Sequence, residues 1–137
     1  MVDHPFLEQL SQDTLPLVAF RHYLVQDYHF LTHFSRSTAL GAFKSTCLRK
    51  ISSAAKIMMH IQTEVNLHRT LCAEYGVPHS EMDHGEEDLA CVAYTRWVTD
   101  VGAREDWFGL QIAMMPCLLG YGAIARRLYD SGNTVRG

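Results

Sequence analysis

Apolar residues return at every third or fourth position through most of this chain, the period of helices with one face turned inward. The clearest run is Phe20, Tyr23, Phe30, Leu31 and Phe34, in a stretch free of glycine and proline. Punctuation divides the pattern into four predicted helices. Thr14-Leu15-Pro16 opens the first, with Pro16 suited to an early helical position, and it runs to about Leu40-Gly41. The second spans Leu48 to Tyr75, where Gly76 and Pro78 stop it. A polar loop over residues 79–85 follows. The third starts near Glu87-Asp88, carries Tyr94, Trp97 and Val98, and ends before Gly102. The fourth extends from about Arg104-Glu105 to Tyr129. There is little β signal. The expected architecture is an all-α bundle of antiparallel neighbours, one domain over residues 1–137. The third helix is short and the fourth is apolar nearly all round, so burial on more than one side is expected, by further helices or a partner subunit.

One position breaks the clearest stripe. Asp27 falls in line with Phe20, Tyr23, Phe30, Leu31 and Phe34, on the face that packs inward. Burying an unpaired carboxylate costs several kcal/mol. Something must compensate. Either a backbone amide or an arginine holds it, or it recognises a polar ligand inside the protein.

Composition narrows the class without choosing between these. The chain has 137 residues, 47% hydrophobic and 20% charged, with a net charge of -3. Acidic and basic residues are interspersed, so there is no basic stripe for nucleic acid and no polybasic membrane patch. No unbroken apolar run reaches membrane-spanning length, and Met1-Val2-Asp3-His4-Pro5 is unlike a signal peptide. Cytoplasmic residence is expected. Cys47, Cys72, Cys91 and Cys117 form no C-x-x-C pair and read as reduced thiols, mostly core packing.

Two further segments could carry chemistry. In Ile112-Ala113-Met114-Met115-Pro116-Cys117-Leu118-Leu119-Gly120-Tyr121, Pro116 removes an amide donor and displaces the Ile112 carbonyl. Such kinks often bend a helix around a cavity. Tyr121, four residues on, places a hydroxyl on the face of Cys117. A reactive thiol also needs a cation or an acid/base partner, which this segment lacks. His60, Glu64 and His68 recur every four residues, as His29 and His33 do, a spacing that can offer metal ligands. A carboxylate-bridged di-iron site would want Glu-x-x-His, but position 67 is Leu and Phe30 stands three after Asp27. Glu64 and His68 are therefore expected to form a polar pair. There is no glycine-rich phosphate loop, no G-x-S-x-G elbow and no H-E-x-x-H.

Taken in order, His4-Pro5-Phe6, Thr14-Leu15, Phe20-x-x-Tyr23-Leu24-x-Gln26-Asp27, Glu64-x-x-Leu67-His68, Tyr94-Thr95 and Pro116-Cys117-x-x-x-Tyr121 resemble the TenA-type thiaminase II proteins over essentially the whole chain. The resemblance implies a heme-oxygenase-like helical fold, incomplete here at its C-terminal end, and assembly as a homotetramer. It implies hydrolytic release of the amine from a thiamin-derived aminopyrimidine, giving hydroxymethylpyrimidine for thiamin salvage. It makes Cys117 the nucleophile, with Asp27 holding the ring nitrogen and amino group and Tyr94 and Tyr121 lining the pocket. No metal or organic cofactor is implied, and the partner is a small pyrimidine. Phe30 stands where relatives often have tyrosine, keeping an aromatic wall and losing a hydroxyl. The family's catalytic glutamate would lie on later helices, beyond this sequence. The alternatives are a non-catalytic pyrimidine-binding or assembly protein that has lost that glutamate, and a metal protein using His60, Glu64 and His68.

Overall fold

A computed structural model describes residues 3–130. It contains α1 (Pro5–Ser11), α2 (Leu17–Lys44), α3 (Leu48–Glu74), α4 (His79–His84), α5 (Leu89–Arg104) and α6 (Trp107–Asp130), with no strand among the described residues. Helix α2 is the axis of the fold and packs against α3, α4, α5 and α6. Two apolar clusters form along it. Leu24 and Val25 meet Cys72, Val77 and Met82 near its start. Further along, Phe34 and Leu40 pack on Val98, Leu110, Ala113 and Met114.

The four long helices match the expected ones, and the differences have local causes. Helices α1 and α4 fall where no element and a loop were expected, because one or two turns hold too few residues to show a period. His4 caps α1, its Nδ1 accepting from the Phe6 amide at 3.2 Å, and Pro5 takes the first helical position. Two glycines expected to end helices lie inside them. A methyl group on Gly102 would come within 2.7 Å of Leu40 Cδ2 and 3.0 Å of Leu110 Cδ1, so glycine there permits α5, α2 and α6 to approach. Gly76 does end its helix. At φ 73° it forms the αL cap, the Gly76 amide reaching the Ala73 carbonyl at 3.1 Å and the Val77 amide the Cys72 carbonyl at 2.7 Å. Buried Val77 and Cys72 supply the apolar contact that accompanies this cap.

Helix α6 was expected to need cover from further helices or a partner subunit. It buries Leu110, Ala113, Met114 and Gly120 but exposes Phe108, Ile112, Leu118 and Leu119, so it is covered on one side within this chain. By length and composition alone its 24 residues, with a window of mean hydropathy 1.5, are apolar enough to cross a bilayer. Gln111 and Pro116 interrupt the segment, so it contains no long unbroken apolar run. All four cysteines are free, yet only Cys72 is buried and Cys47 is exposed, so core packing does not account for the set.

Candidate functional site

Helices α3 and α6 diverge from α2 and leave a cleft of about 830 Å³ between them. Asp27 and Phe30 line it from α2, His60 and Glu64 from α3, Cys117 and Tyr121 from α6. Residues 90 positions apart thus share one cavity because α3 and α6 both pack along α2. Four of the five residues singled out in the sequence line it directly.

Asp27 sits between the two apolar clusters with its side chain 11% exposed. Among the described residues neither an arginine nor a backbone amide compensates it. His68 Nε2 stands 2.7 Å from Oδ2, and the Tyr121 hydroxyl donates to Oδ1 at 3.1 Å. His68 Nδ1 is 3.0 Å from the Glu64 carbonyl oxygen, which can only accept, so Nδ1 carries a proton. The bond to Asp27, ahead of an opposing effect of burial, raises the His68 pKa above its ordinary 6.5. Burial first, then the Asp27 charge, raises the phenols of Tyr23 and Tyr121.

Cys117 follows Pro116 inside α6. Burial, reinforced by the Asp27 charge, pushes its thiol up to about 11. At neutral pH the protonated thiol therefore dominates over the thiolate that attacks electrophiles. Tyr94 has a different place from the one expected. It does not line the cleft; its hydroxyl donates to the Ala113 carbonyl at 3.2 Å, one turn before Pro116, and ties α5 to α6. Its ring stacks behind Phe30 at 6.3 Å, and Phe30 stacks on Phe34 at 5.8 Å, giving the cleft an aromatic wall.

The metal reading does not survive the geometry. His60 Nε2 approaches Glu64 at 3.3 Å on the rim, while His68 turns inward to Asp27. No group of three or more potential ligands converges among the described residues. The expected Glu64–His68 side-chain pair is also replaced, since Glu64 offers His68 its carbonyl and its carboxylate goes to His60. On the opposite side of α2, Gln26 binds the Glu86 carbonyl at 2.9 Å and the Asp88 amide at 2.8 Å, and His22 lies 2.6 Å from Asp88. His33 lies 3.1 Å from Glu87. Sequence reasoning missed the role of His68: its helical spacing flagged it, but a partner 41 residues away leaves no local signal. Tyr23 lies four residues before Asp27 on the same stripe and could have been found there.

Residues 1–135 match the profile of the TENA/THI-4/PQQC family. The chain belongs to that family. An uncharacterized protein of Haemophilus influenzae is 39% identical over 125 residues, 91% of this chain and 58% of that protein. A Schizosaccharomyces pombe protein bearing a hydroxymethylpyrimidine/phosphomethylpyrimidine kinase name is 40% identical over 127 residues, which are 93% of this chain but 23% of that one. An aminopyrimidine aminohydrolase of Halalkalibacterium halodurans is 28% identical over 127 residues, 92% of this chain and 57% of the enzyme. Among solved structures, a Silicibacter protein described as a TenA family transcription regulator superposes with a TM-score of 0.88 at 38% identity, covering 94% of this chain and 58% of that one. The TenA homologue of P. horikoshii gives 0.83 at 24% identity, which speaks to the fold. The architecture is thus the helical heme-oxygenase-like fold of TenA proteins. The chain spans little more than half the length of the Haemophilus and Halalkalibacterium relatives.

Proposed function

We propose that the cleft is the pyrimidine site of a thiaminase II-type aminopyrimidine aminohydrolase. The observation that carries this reading is the meeting of Asp27 and Cys117 in one cavity, with Tyr121 bonded to Asp27 between them. Asp27 accepts from the amino group and ring nitrogen of the pyrimidine, and the Phe30 wall stacks on its face. The Cys117 sulfur adds to a ring carbon as its proton passes to a ring nitrogen. Ammonia then leaves from the aminomethyl carbon, taking up that proton and leaving an exocyclic methylene. Water adds its hydroxyl to the methylene and its proton to the ring, and expulsion of the sulfur breaks the C–S bond, restoring the aromatic ring and the Cys117 thiol. The products are a hydroxymethylpyrimidine and ammonia, the chemistry of thiamin salvage in the cytoplasm. Tyr94 serves by holding the turn of α6 before Pro116 and Cys117.

One observation favours a second reading, a pyrimidine-binding protein that does not turn over. The Cys117 thiol stands near 11, and the groups acting on it among the described residues raise it further from ionisation. The carboxylates lining the cleft, Asp27 and Glu64, are engaged by His68 and His60. Incubation with aminomethylpyrimidine, following ammonia release, separates the two. Release abolished by Cys117→Ala supports the hydrolase. Calorimetric binding that depends on Asp27 without release supports the binding protein. Release unchanged in Cys117→Ala removes the nucleophile assignment.

We also infer a homo-oligomer, a tetramer by the family resemblance. Phe108, Ile112, Met115 and Leu119 recur at helical spacing along α6 and are all exposed in the single chain, and a continuous apolar face of this kind marks an interface. A monomeric mass by light scattering overturns this.

A further inference from the structure

A carboxylate has two oxygens and about four lone-pair directions. At Asp27 the protein uses two of them: His68 Nε2 at Oδ2 and the Tyr121 hydroxyl at Oδ1. One direction remains on each oxygen. Two parallel acceptors of this kind match a ligand edge carrying two donors, as in an amidine-like cation. A 4-aminopyrimidine protonated on its ring nitrogen presents such an edge, N–H beside N–H₂.

His68 decides whether that edge stays in place. Its Nδ1 proton is committed to the Glu64 carbonyl, so Nε2 can donate to Asp27 only when the ring is an imidazolium. A neutral His68 with the same Nδ1–H turns a lone pair toward the carboxylate, and the contact changes from attraction to repulsion. The side chain is 18% exposed, so solvent replaces this bond poorly. The titratable groups around the pair are Asp27 and Tyr23 from α2, Glu64 from α3, Cys91 from α5, and Cys117 and Tyr121 from α6. The phenols and thiols among these are all raised, and His60, on the rim, pairs with Glu64, which leaves His68 as the histidine in contact with Asp27.

We propose that His68 is the positioning residue of the cleft: as an imidazolium bridging the Glu64 carbonyl and Asp27, it turns the carboxylate so that one free lone pair on each oxygen receives the two-donor edge of a protonated aminopyrimidine. The ligand class rests on the aminopyrimidine reading above; the role of His68 rests on the contacts of the chain itself. Affinity therefore falls as pH rises through the His68 midpoint, beyond what deprotonation of the ligand accounts for.

The test is calorimetry with hydroxymethylpyrimidine between about pH 6 and pH 8.5, a range that spans histidine titration, on the wild-type chain, His68→Gln and His68→Leu. The glutamine amide donates to Asp27 at every pH, so His68→Gln keeps only the alkaline limb due to the ligand and loses the one due to the protein. His68→Leu binds about ten- to a hundredfold more weakly at the acid end, the range for a hydrogen bond to a charged group. Nitrogen NMR of the imidazole is read in parallel, and Asp27→Asn lowers the His68 midpoint. Binding whose pH dependence is the same in wild type and His68→Gln, or a His68 midpoint at the ordinary histidine value and indifferent to Asp27→Asn, overturns the assignment of His68 alone. No binding by the wild type at any pH overturns the aminopyrimidine reading and the ligand class together.

Discussion

Gln26 and Asp27 are adjacent in sequence, both polar, and both on the central helix, yet they belong to two unlike regions of the molecule. On the Gln26 side, side chains of α2 close over the start of α5: Gln26 bonds the Glu86 carbonyl and the Asp88 amide, His22 meets Asp88, and His33 meets Glu87. These side chains pair with fixed backbone or side-chain groups, with Glu87 Oε2 left buried without a partner, and they line none of the three main cavities among the described residues. On the Asp27 side, polar groups surround a space of about 830 Å³, and the carboxylate keeps acceptor capacity there. A polar cluster paired away from a cavity stabilises a connection; one with spare capacity next to a cavity can bind. Position relative to the void, not residue type, separates the two.

The two thiols that stand highest offer the sharpest way to break this comparison. Burial pushes Cys91 and Cys117 both to about 11, and the charge of Asp27 contributes at each. Cys91 lies on the closed side, its Sγ 4.0 Å from the Gln26 carbonyl, while Cys117 lines the cleft. If the hydrolase reading holds, Cys117→Ala lowers ammonia release by about 10³-fold or more, the scale of losing a nucleophile, and Cys91→Ala leaves the rate within about threefold. Equal losses from the two variants remove the distinction between the sides.

The closed side should answer through stability instead. Gln26→Ala deletes two hydrogen bonds that join α2 to the start of α5, at about 1 kcal/mol each. Chemical denaturation is expected to show a loss of about 2 kcal/mol, with amide exchange accelerated around residues 88–92. A variant with unchanged stability would mean that the polar clasp is an incidental surface contact. Gly102→Ala probes the packed junction between the two regions. The new methyl group meets Leu40 and Leu110 in the core, an overpacking cost of about 1–3 kcal/mol that the better helix propensity of alanine offsets by about 1 kcal/mol. A net loss of about 1 kcal/mol follows, and a gain in melting temperature would show that α5 has room to move.

How far the sequence revealed these regions depends on the range of the interaction. The long helices were legible because each holds several repeats of its apolar stripe, and Asp27 stood out by interrupting one. Cys117 and Tyr121 were legible because a proline and a shared helical face lie within a few residues. The partner of Asp27 was not, since His68 reaches it across 41 positions and its nearest sequence signal, Glu64, pointed to the wrong contact. Gly102 was read as a helix end because a glycine that stops a helix and one that lets two helices touch look alike until their neighbours are known. Tyr94 was expected to line the pocket, and only the fold shows that it holds the backbone of α6 instead of facing the cavity.

The smallest expected effect has opposite signs on the two sides, which makes it diagnostic. The hydrogen bond from His33 lowers the pKa of Glu87 below its ordinary 4.5. A depressed carboxyl contributes stability that is complete above the unfolded value and is lost as pH falls through the folded one. The closed side therefore weakens below about pH 4.5. His68 is raised above 6.5, chiefly by its bond to Asp27. A raised histidine contributes stability that is complete below the unfolded value and is lost as pH rises through the folded one, so the cleft side weakens above about pH 6.5. Melting temperature against pH is expected to show a plateau between these limits with a shoulder on each flank. His33→Gln removes the acid shoulder and leaves the alkaline one; His68→Gln does the reverse. Loss of both shoulders in either variant would show that the two faces of α2 titrate as one unit, and the separation between a closed region and a binding region would fall with it.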